Sequence, residues 1–349
     1  MNLKLNQHIC ILGVNGFIGS NLAIALLSRG HLITGIDLHD FRLEQVSRLE
    51  NFRFVRHDFR AFNANTKMHI RKCDLVVPLV AIATPKTYVT DPISVFELDF
   101  EANLPYIRFC ADQGIRLLFP STSEVYGLTA EEVFEEKTTT LAYGPIQNER
   151  WIYACCKQLL DRIIYALGLR NELNYTIFRP FNWLGPGLDK LSNEEGTSRL
   201  VTQLLSDIIH KNQLTLVDGG GQSRSFTDIR DGIDALVKII EQPTITNKKI
   251  YNIGNPENEC SVKEFAQLLL EALHAQFNWF DVASVNIIER AGADYYGTGY
   301  QDVMRRVPSI SSISADLNWM PGYSNRDSLS NIVRCLDQAA VECLRANRR

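Results

Sequence analysis

The chain has 349 residues, of which 45% are hydrophobic and 22% charged, enough apolar material for the core of one large domain or two ordinary ones. Its formal net charge is −4 and its basic residues are scattered, apart from Arg345, Arg348 and Arg349. That balance excludes a broad electrostatic surface for nucleic acid. Its eight cysteines show no CxxC and no metal-ligand spacing. No signal-peptide core opens the chain and no apolar run is long enough for a membrane span. The expectation is reduced thiols, no metal, no membrane and a cytoplasmic location.

The run from His8 to Leu12 reads as a strand, followed by Gly13-Val14-Asn15-Gly16-Phe17-Ile18-Gly19 and a helical pattern with Leu22, Ala25, Leu26 and Leu27. Strand, glycine turn and helix in that order make the dinucleotide-binding context. Gly13 would form the tight turn, Gly16 would admit the pyrophosphate, and Gly19 would let helix and strand pack closely. Phe17 and Ile18 open the helix whose unpaired N–H groups would face the phosphates. A second strand, Leu32 to Ile36, ends at Asp37. A carboxylate there accepts hydrogen bonds from the adenosine ribose and repels a 2′-phosphate, which favours NAD over NADP. Phe52 to Val55 reads as a third strand, with Asp58 and Phe59 just beyond it as candidates for the adenine.

Asp74 to Val80 reads as a fourth strand, continuing into small residues around Ala83 that leave room for a cofactor. Asp91 to Gly114 reads as one long helix. A fifth strand, Arg116 to Pro120, delivers Ser121-Thr122-Ser123-Glu124-Val125-Tyr126-Gly127 at its C-terminal end, the edge where open α/β sheets bind ligands. Arg150 to Lys157 starts a helix with Tyr153 and Lys157 on one face. A lysine beside a phenol lowers its pKa from about 10 and prepares it to take a proton from a sugar hydroxyl. Tyr175 to Phe178 is a sixth strand, Ser261 to Leu273 a scaffold helix, and Ser328 to Leu344 a final capping helix. Leu159, Leu160, Ile163 and Ile164 suit either the core or a subunit interface.

Taken together, these blocks are recognisable. With Pro78 to Pro85, Phe178 to Trp183, Phe226 to Gly232, Asn252 to Asn258 and Tyr300 to Val303, they make the chain resemble, over roughly residues 7 to 340, the extended short-chain dehydrogenases/reductases that act on nucleotide sugars. Within that family the likeness is greatest to UDP-glucuronic acid decarboxylases. The segment Lys190 to Ser198 departs from that pattern, and Thr215 stands where those relatives have a lysine.

The resemblance implies a Rossmann-type doubly wound parallel sheet with a smaller C-terminal α/β lobe. Residues 1–178 would bind NAD and carry the Tyr/Lys helix. Residues 179–349 would mainly bind the nucleotide sugar, with some segments returning to the sheet. It implies Thr122, Ser123, Glu124, Tyr153, Lys157 and Arg306 as the catalytic set, with Tyr153 and Lys157 also touching the cofactor. For the UDP-sugar it implies Ala83, Tyr88, Thr122, Ser123, Arg150, Asn182, Thr215, Arg224 and Tyr300. It also implies a homodimer or higher homo-oligomer, with a product destined for lipid A modification, another surface glycan or a small molecule.

The expected reaction is NAD-dependent oxidative decarboxylation of UDP-glucuronic acid to a UDP-4-keto-pentose, with carbon dioxide and NADH. Oxidation at carbon 4 is needed first, because only a β-keto acid loses carbon dioxide through a stabilised enolate. Two alternatives share the platform: a decarboxylase that re-uses its NADH to make UDP-xylose, and a UDP-sugar epimerase or dehydratase. A third, a non-catalytic NAD-binding module, would be expected to lose Tyr153 or Lys157.

Overall fold

The structure, a computed structural model, describes residues 6–346. A seven-stranded, wholly parallel sheet forms its centre. Its strands are β1 (His8–Leu12), β2 (Leu32–Asp37), β3 (Phe52–Arg56), β4 (Leu75–Pro78), β5 (Arg116–Pro120), β6 (Tyr175–Pro180) and a last one, Lys249–Ile253. Across the sheet the order is Lys249–Ile253, β6, β5, β4, β1, β2, β3. The chain winds outward from β1 to β3 and then crosses back to β4, so the direction of winding reverses between β1 and β4. A crevice opens beyond the C-terminal ends of strands at such a reversal.

The sheet is covered on both faces, which is why β1 and β5 read as continuous apolar runs without alternation. On one face Ile9, Ile11, Val77 and Leu118 pack with Leu22 and Leu26 of the helix Phe17–Ser28 and with Leu236 and Ile240 of the helix Ile229–Glu241. On the other, Cys10, Leu12, Leu117 and Phe119 meet Tyr106, Ile107, Leu160 and Ile164 from the helices Leu104–Gln113 and Ile152–Leu169. Leu160 and Ile164 are therefore core, while Leu159 is 48% exposed.

Two helices differ from expectation. The stretch 91–114 is interrupted. Asp91 caps a short helix, Pro92–Phe96, by accepting from the Ser94 N–H, and a π-helical turn follows at Glu97–Glu101. There the Ala102 N–H reaches back to the Glu97 carbonyl at 2.9 Å, and the Asn103 side chain donates to the Leu98 and Asp99 carbonyls. Regular helix resumes at Leu104–Gln113 and ends on Gly114 in the left-handed region, φ 66°. The final helix is split into Asn325–Arg334 and Gln338–Ala346. The scaffold helix forms at Val262–Gln276, and its Ser261 and Glu264 make a reciprocal cap.

Short strand pairings in the second half bring side chains to the crevice. Ser223–Ser225 lies between Glu259–Ser261 and Arg305–Arg306, and the register sets Arg306 beside Arg224. Gln213–Val217 pairs with Asn286–Arg290. Among the described residues no helix is long and apolar enough to cross a membrane.

Candidate active site

A cleft of 840 Å³ runs from the glycine turn to the Arg224 strand. At the glycine turn, Gly13 has φ +81°, and a Cβ on Gly19 would lie 2.2 Å from the Gly13 carbonyl oxygen, so neither position tolerates a side chain. The helix that follows starts at Gly16 with no side chain capping it. Its first N–H groups are left for an anion, and the positive end of the helix dipole favours one. Asp37, at the end of β2, accepts from the Asn15 N–H at 2.9 Å and so braces the turn. Gly13, Gly16, Phe17, Ile18 and Gly19 line the cleft, whereas Asp37 does not.

Two further sequence candidates for the adenine lie elsewhere. Asp58 accepts from the Arg60 N–H in its own turn, and the Phe59 ring is buried against Tyr106 at 4.4 Å. Neither lines the cleft; Phe59 is core, because Tyr106 gives its ring a stacking partner behind the sheet.

The chemical centre is built by three elements. β5 ends at Pro120, and Thr122 caps a single 3₁₀ turn, Ser123–Tyr126, by accepting from the Glu124 N–H. The helix Ile152–Leu169 presents Tyr153 and Lys157, with the lysine Nζ 5.9 Å from the tyrosine ring centre. Tyr88, from the helix Pro85–Thr90, stacks on Tyr153 at 4.8 Å, nearly parallel. Thr122, Ser123, Glu124, Tyr153 and Lys157 all line the cleft.

The net shift of the Tyr153 phenol is upward rather than downward. Burial pushes Tyr153 above its ordinary range, the Asp99 carboxylate pushes it further, and the Thr122 hydroxyl pulls the other way. Asp99 is fully buried, and its Oδ1 lies 3.5 Å from the Lys157 Nζ, so the lysine charge has a counter-charge. Lys157 Nζ has no hydrogen-bond acceptor among the described residues and lies at the cleft. An orphaned ammonium beside an uncapped helix start suits a ribose hydroxyl and a pyrophosphate, so these residues fit NAD.

Glu124 joins the two halves. Its carboxylate accepts from Arg150 Nη2 at 2.5 Å and from Arg306 Nη1 at 2.7 Å. Burial alone would raise this carboxyl, but Arg150 and Arg306 outweigh it and hold it down at about 2. Arg306 also reaches the Ser123 hydroxyl at 3.4 Å.

Ala83, Asn182, Arg224 and Tyr300 also line the cleft. Asn182 sits in the left-handed region, φ 43°, tied down by donating to the Ser225 carbonyl. Thr215 does not line the cleft; it is buried in its strand and accepts from the Gln213 side chain.

Sequence reasoning missed several residues. Asp302 accepts from Arg224 at 2.5 Å, and Tyr296 stacks on Tyr300 at 4.2 Å. Gln301 ties the Tyr300 loop down, accepting from Asn148 and from the Trp151 indole while its carbonyl accepts from Arg150. Asp99 had a readable signal. It lies in line with Val95, Asn103 and Ile107, all fully buried, so a carboxylate falls on an inward stripe.

The bifunctional polymyxin resistance protein ArnA of Wigglesworthia glossinidia brevipalpis is 43% identical over 338 residues, which cover 95% of this chain and 51% of that protein. The chain thus spans about half the length of that curated relative. The crystal structure of the PbgP3 protein from Burkholderia pseudomallei superposes with a TM-score of 0.86 at 42% identity, covering 97% of this chain and 98% of that one. A UDP-glucuronic acid 4-epimerase from Bacillus cereus, solved with a fluorinated UDP-glucuronic acid and NAD, shares the fold. Its TM-score is 0.77 at 20% identity, with 94% and 98% of the two chains covered. The family model for NAD-dependent epimerases/dehydratases matches residues 9–254, from the first sheet strand to the last, and the chain belongs to that nucleotide-sugar, NAD-dependent enzyme family.

Proposed function

We propose that the protein oxidatively decarboxylates UDP-glucuronic acid to a UDP-4-keto-pentose, releasing carbon dioxide and NADH. The observation that carries this reading is the Arg150–Glu124–Arg306 triad lining the same cleft as Tyr153. A uronate needs cations near its carboxylate, and an enolate needs a proton source beside it. The likeness to the bifunctional polymyxin resistance protein ArnA is in keeping with this reading.

Bound NAD supplies the hydride acceptor. Tyr153 takes the proton of the 4-hydroxyl as that carbon is oxidised to a ketone. Thr122 and Ser123 orient the hydroxyl and then hydrogen-bond the ketone oxygen. The C5–carboxylate bond then breaks, carbon dioxide leaves, and its electron pair becomes the enolate of C4 and C5. Arg306, held by Glu124, delivers the proton that restores C5. Arg224 and Asn182 would hold the diphosphate, with Tyr300 and Tyr296 closing over the sugar nucleotide. Asp37 would still serve the adenosine ribose through lone pairs left beside its contacts to the Asn15 and His39 N–H groups.

We further propose that residues 179–349 form mainly the nucleotide-sugar lobe. We place the protein in the cytoplasm, in keeping with its free cysteines, and infer a homodimer. The exposed Ile93, Leu159, Tyr165 and Leu169 support that assembly.

The test is absorbance at about 340 nm on mixing protein, NAD and UDP-glucuronic acid, with carbon dioxide trapped in parallel. Stoichiometric NADH with carbon dioxide is the expected result. Carbon dioxide without NADH would mean a UDP-xylose-forming enzyme, and neither signal, with NAD still bound, would sink the reading.

A further inference from the structure

The segment that departs from the family pattern closes on itself at the cleft. The Arg199 N–H donates to Asp189 Oδ2 at 2.8 Å and its guanidinium to Oδ1 at 2.7 Å, while the Ser198 hydroxyl donates to the Lys190 carbonyl. These bonds pinch the two ends of the stretch 189–199 together, which makes it an Ω-loop. Its base lies at the dinucleotide end. The Arg199 guanidinium is 5.7 Å from the Phe17 ring centre, and Arg42, just past β2, donates to the Gly187 carbonyl at 2.5 Å. Its tip reaches towards the reacting centre. The Glu195 carbonyl accepts from Lys86 Nζ at 2.8 Å, and Lys86 belongs to the helix Pro85–Thr90 that stacks Tyr88 on Tyr153. Along the loop, Lys190, Ser192, Glu194, Thr197 and Ser198 line the cleft.

The tip is held by charge. Glu195 Oε1 accepts from Lys211 Nζ at 3.2 Å, and Oε2 accepts from Arg290 Nη1 at 2.5 Å. Lys211 closes the helix Leu200–Lys211, and Arg290 ends the strand Asn286–Arg290. The three side chains stay partly exposed, Lys211 at 25%, Glu195 at 33% and Arg290 at 34%, so each pair is weak and screened by salt. A loop with a pinched base and a weak ionic tip can open at the tip without disturbing the sheet. We propose that the 189–199 loop is a lid over the cleft and that Glu195 is its latch, so that the contacts at the tip set how fast NADH leaves. This rests on the oxidative reading, in which NADH must leave in every cycle. A tighter latch would suit the UDP-xylose-forming alternative, which keeps it. Opening breaks the Lys86 bond and both Glu195 pairs and leaves the pinch at the base intact.

Glu195→Gln keeps the backbone carbonyl for Lys86 and removes the charge that Lys211 and Arg290 share. Lys86→Met keeps a stem beside Gly196 and removes the ammonium. The measurement is stopped-flow fluorescence of NADH, both its release from a preformed complex into excess NAD and its binding to the free protein. A latch acts on passage in both directions. Both variants should therefore release NADH about fivefold faster and bind it faster as well, so that Kd changes by less than the release rate. Release from the unaltered protein should quicken between about 0.05 M and about 0.5 M sodium chloride, and Glu195→Gln should flatten that dependence. Unchanged release in both variants overturns the proposal. So does faster release with binding unchanged or slowed, which would make the loop a simple contact. If Glu195→Gln does not fold, Lys86→Met is read in its place. The measurement needs no sugar nucleotide and no turnover. Faster exchange in a protein that decarboxylates nothing would therefore remove the decarboxylase reading and leave the lid standing.

Discussion

Tyr153 and Glu124 have opposite electrostatic surroundings within one cleft. The phenol is raised by burial and by the Asp99 carboxylate beside it, while the buried carboxyl is gripped by two guanidinium groups and held down. Two predictions follow from that contrast. Tyr153→Phe removes the proton acceptor and nothing that packs. Turnover should fall by about 10²–10⁴-fold, with thermal stability and NAD affinity kept, as calorimetry and NAD titration would show. Glu124 has a folded value of about 2 against an ordinary 4.5. A depressed carboxyl contributes stability that is complete above its unfolded value and is lost as pH falls towards its folded one. The contribution is on the order of 3 kcal/mol, present above about pH 4.5 and draining away towards about pH 2. Glu124→Gln should therefore be less stable than the parent by a constant amount from about pH 8 to about pH 5, since it also strands Arg150 and Arg306. The gap should narrow below about pH 4.5. A gap that stays constant down to about pH 3.5 would refute this account of the triad.

At the scale of elements, the glycine turn is the most constrained piece. A methyl on Gly19 would meet the Gly13 carbonyl at 2.2 Å and the Val14 Cα at 2.8 Å, both backbone. Gly19→Ala must therefore push the helix Phe17–Ser28 off β1, at about 1–3 kcal/mol. We expect a lower melting temperature and weaker NAD binding, and an unchanged NAD affinity would count against the turn as the cofactor's seat. This turn was legible in the sequence because its geometry is local: seven consecutive residues contain the reason for each glycine. The Tyr153–Lys157 face and the Thr122-capped turn are local in the same way. The π turn was not legible, because Val95, Phe96, Leu98, Leu104 and Ile107 satisfy an ordinary helical period, while Asp99 in the turn meets Ile82 and Lys157, which are distant in sequence. Phe59 misled for a related reason: its position in the chain suited the adenine, but its ring turned to Tyr106. Asp302 and Gln301 carry no local signal, since their partners Arg224, Asn148 and Trp151 are distant in sequence.

At the scale of the molecule, one end of the cleft is built by the β1–helix junction and the other by short strands from the second half, joined at Glu124. Arg150 comes from the first half and Arg306 from the second, so closing the triad also sets one half against the other. Cofactor and sugar nucleotide should then be separable by mutation. Arg224 lies in the pairing that also aligns Arg306, and its guanidinium holds Asp302 next to Tyr300. Arg224→Lys keeps the charge and loses the planar fork that matches a diphosphate. Losing one charge-assisted hydrogen bond is worth about 1.5–3 kcal/mol. On that scale KM for the UDP-sugar should rise by about tenfold or more, while the Kd for NAD stays as it was. Gly19→Ala should do the reverse. Isothermal titration with NAD and with UDP on both variants tests the division directly. If Arg224→Lys weakens NAD as much as UDP, the strand pairing around Arg224 is a shared support for the whole cleft, and the assignment of the diphosphate to it fails.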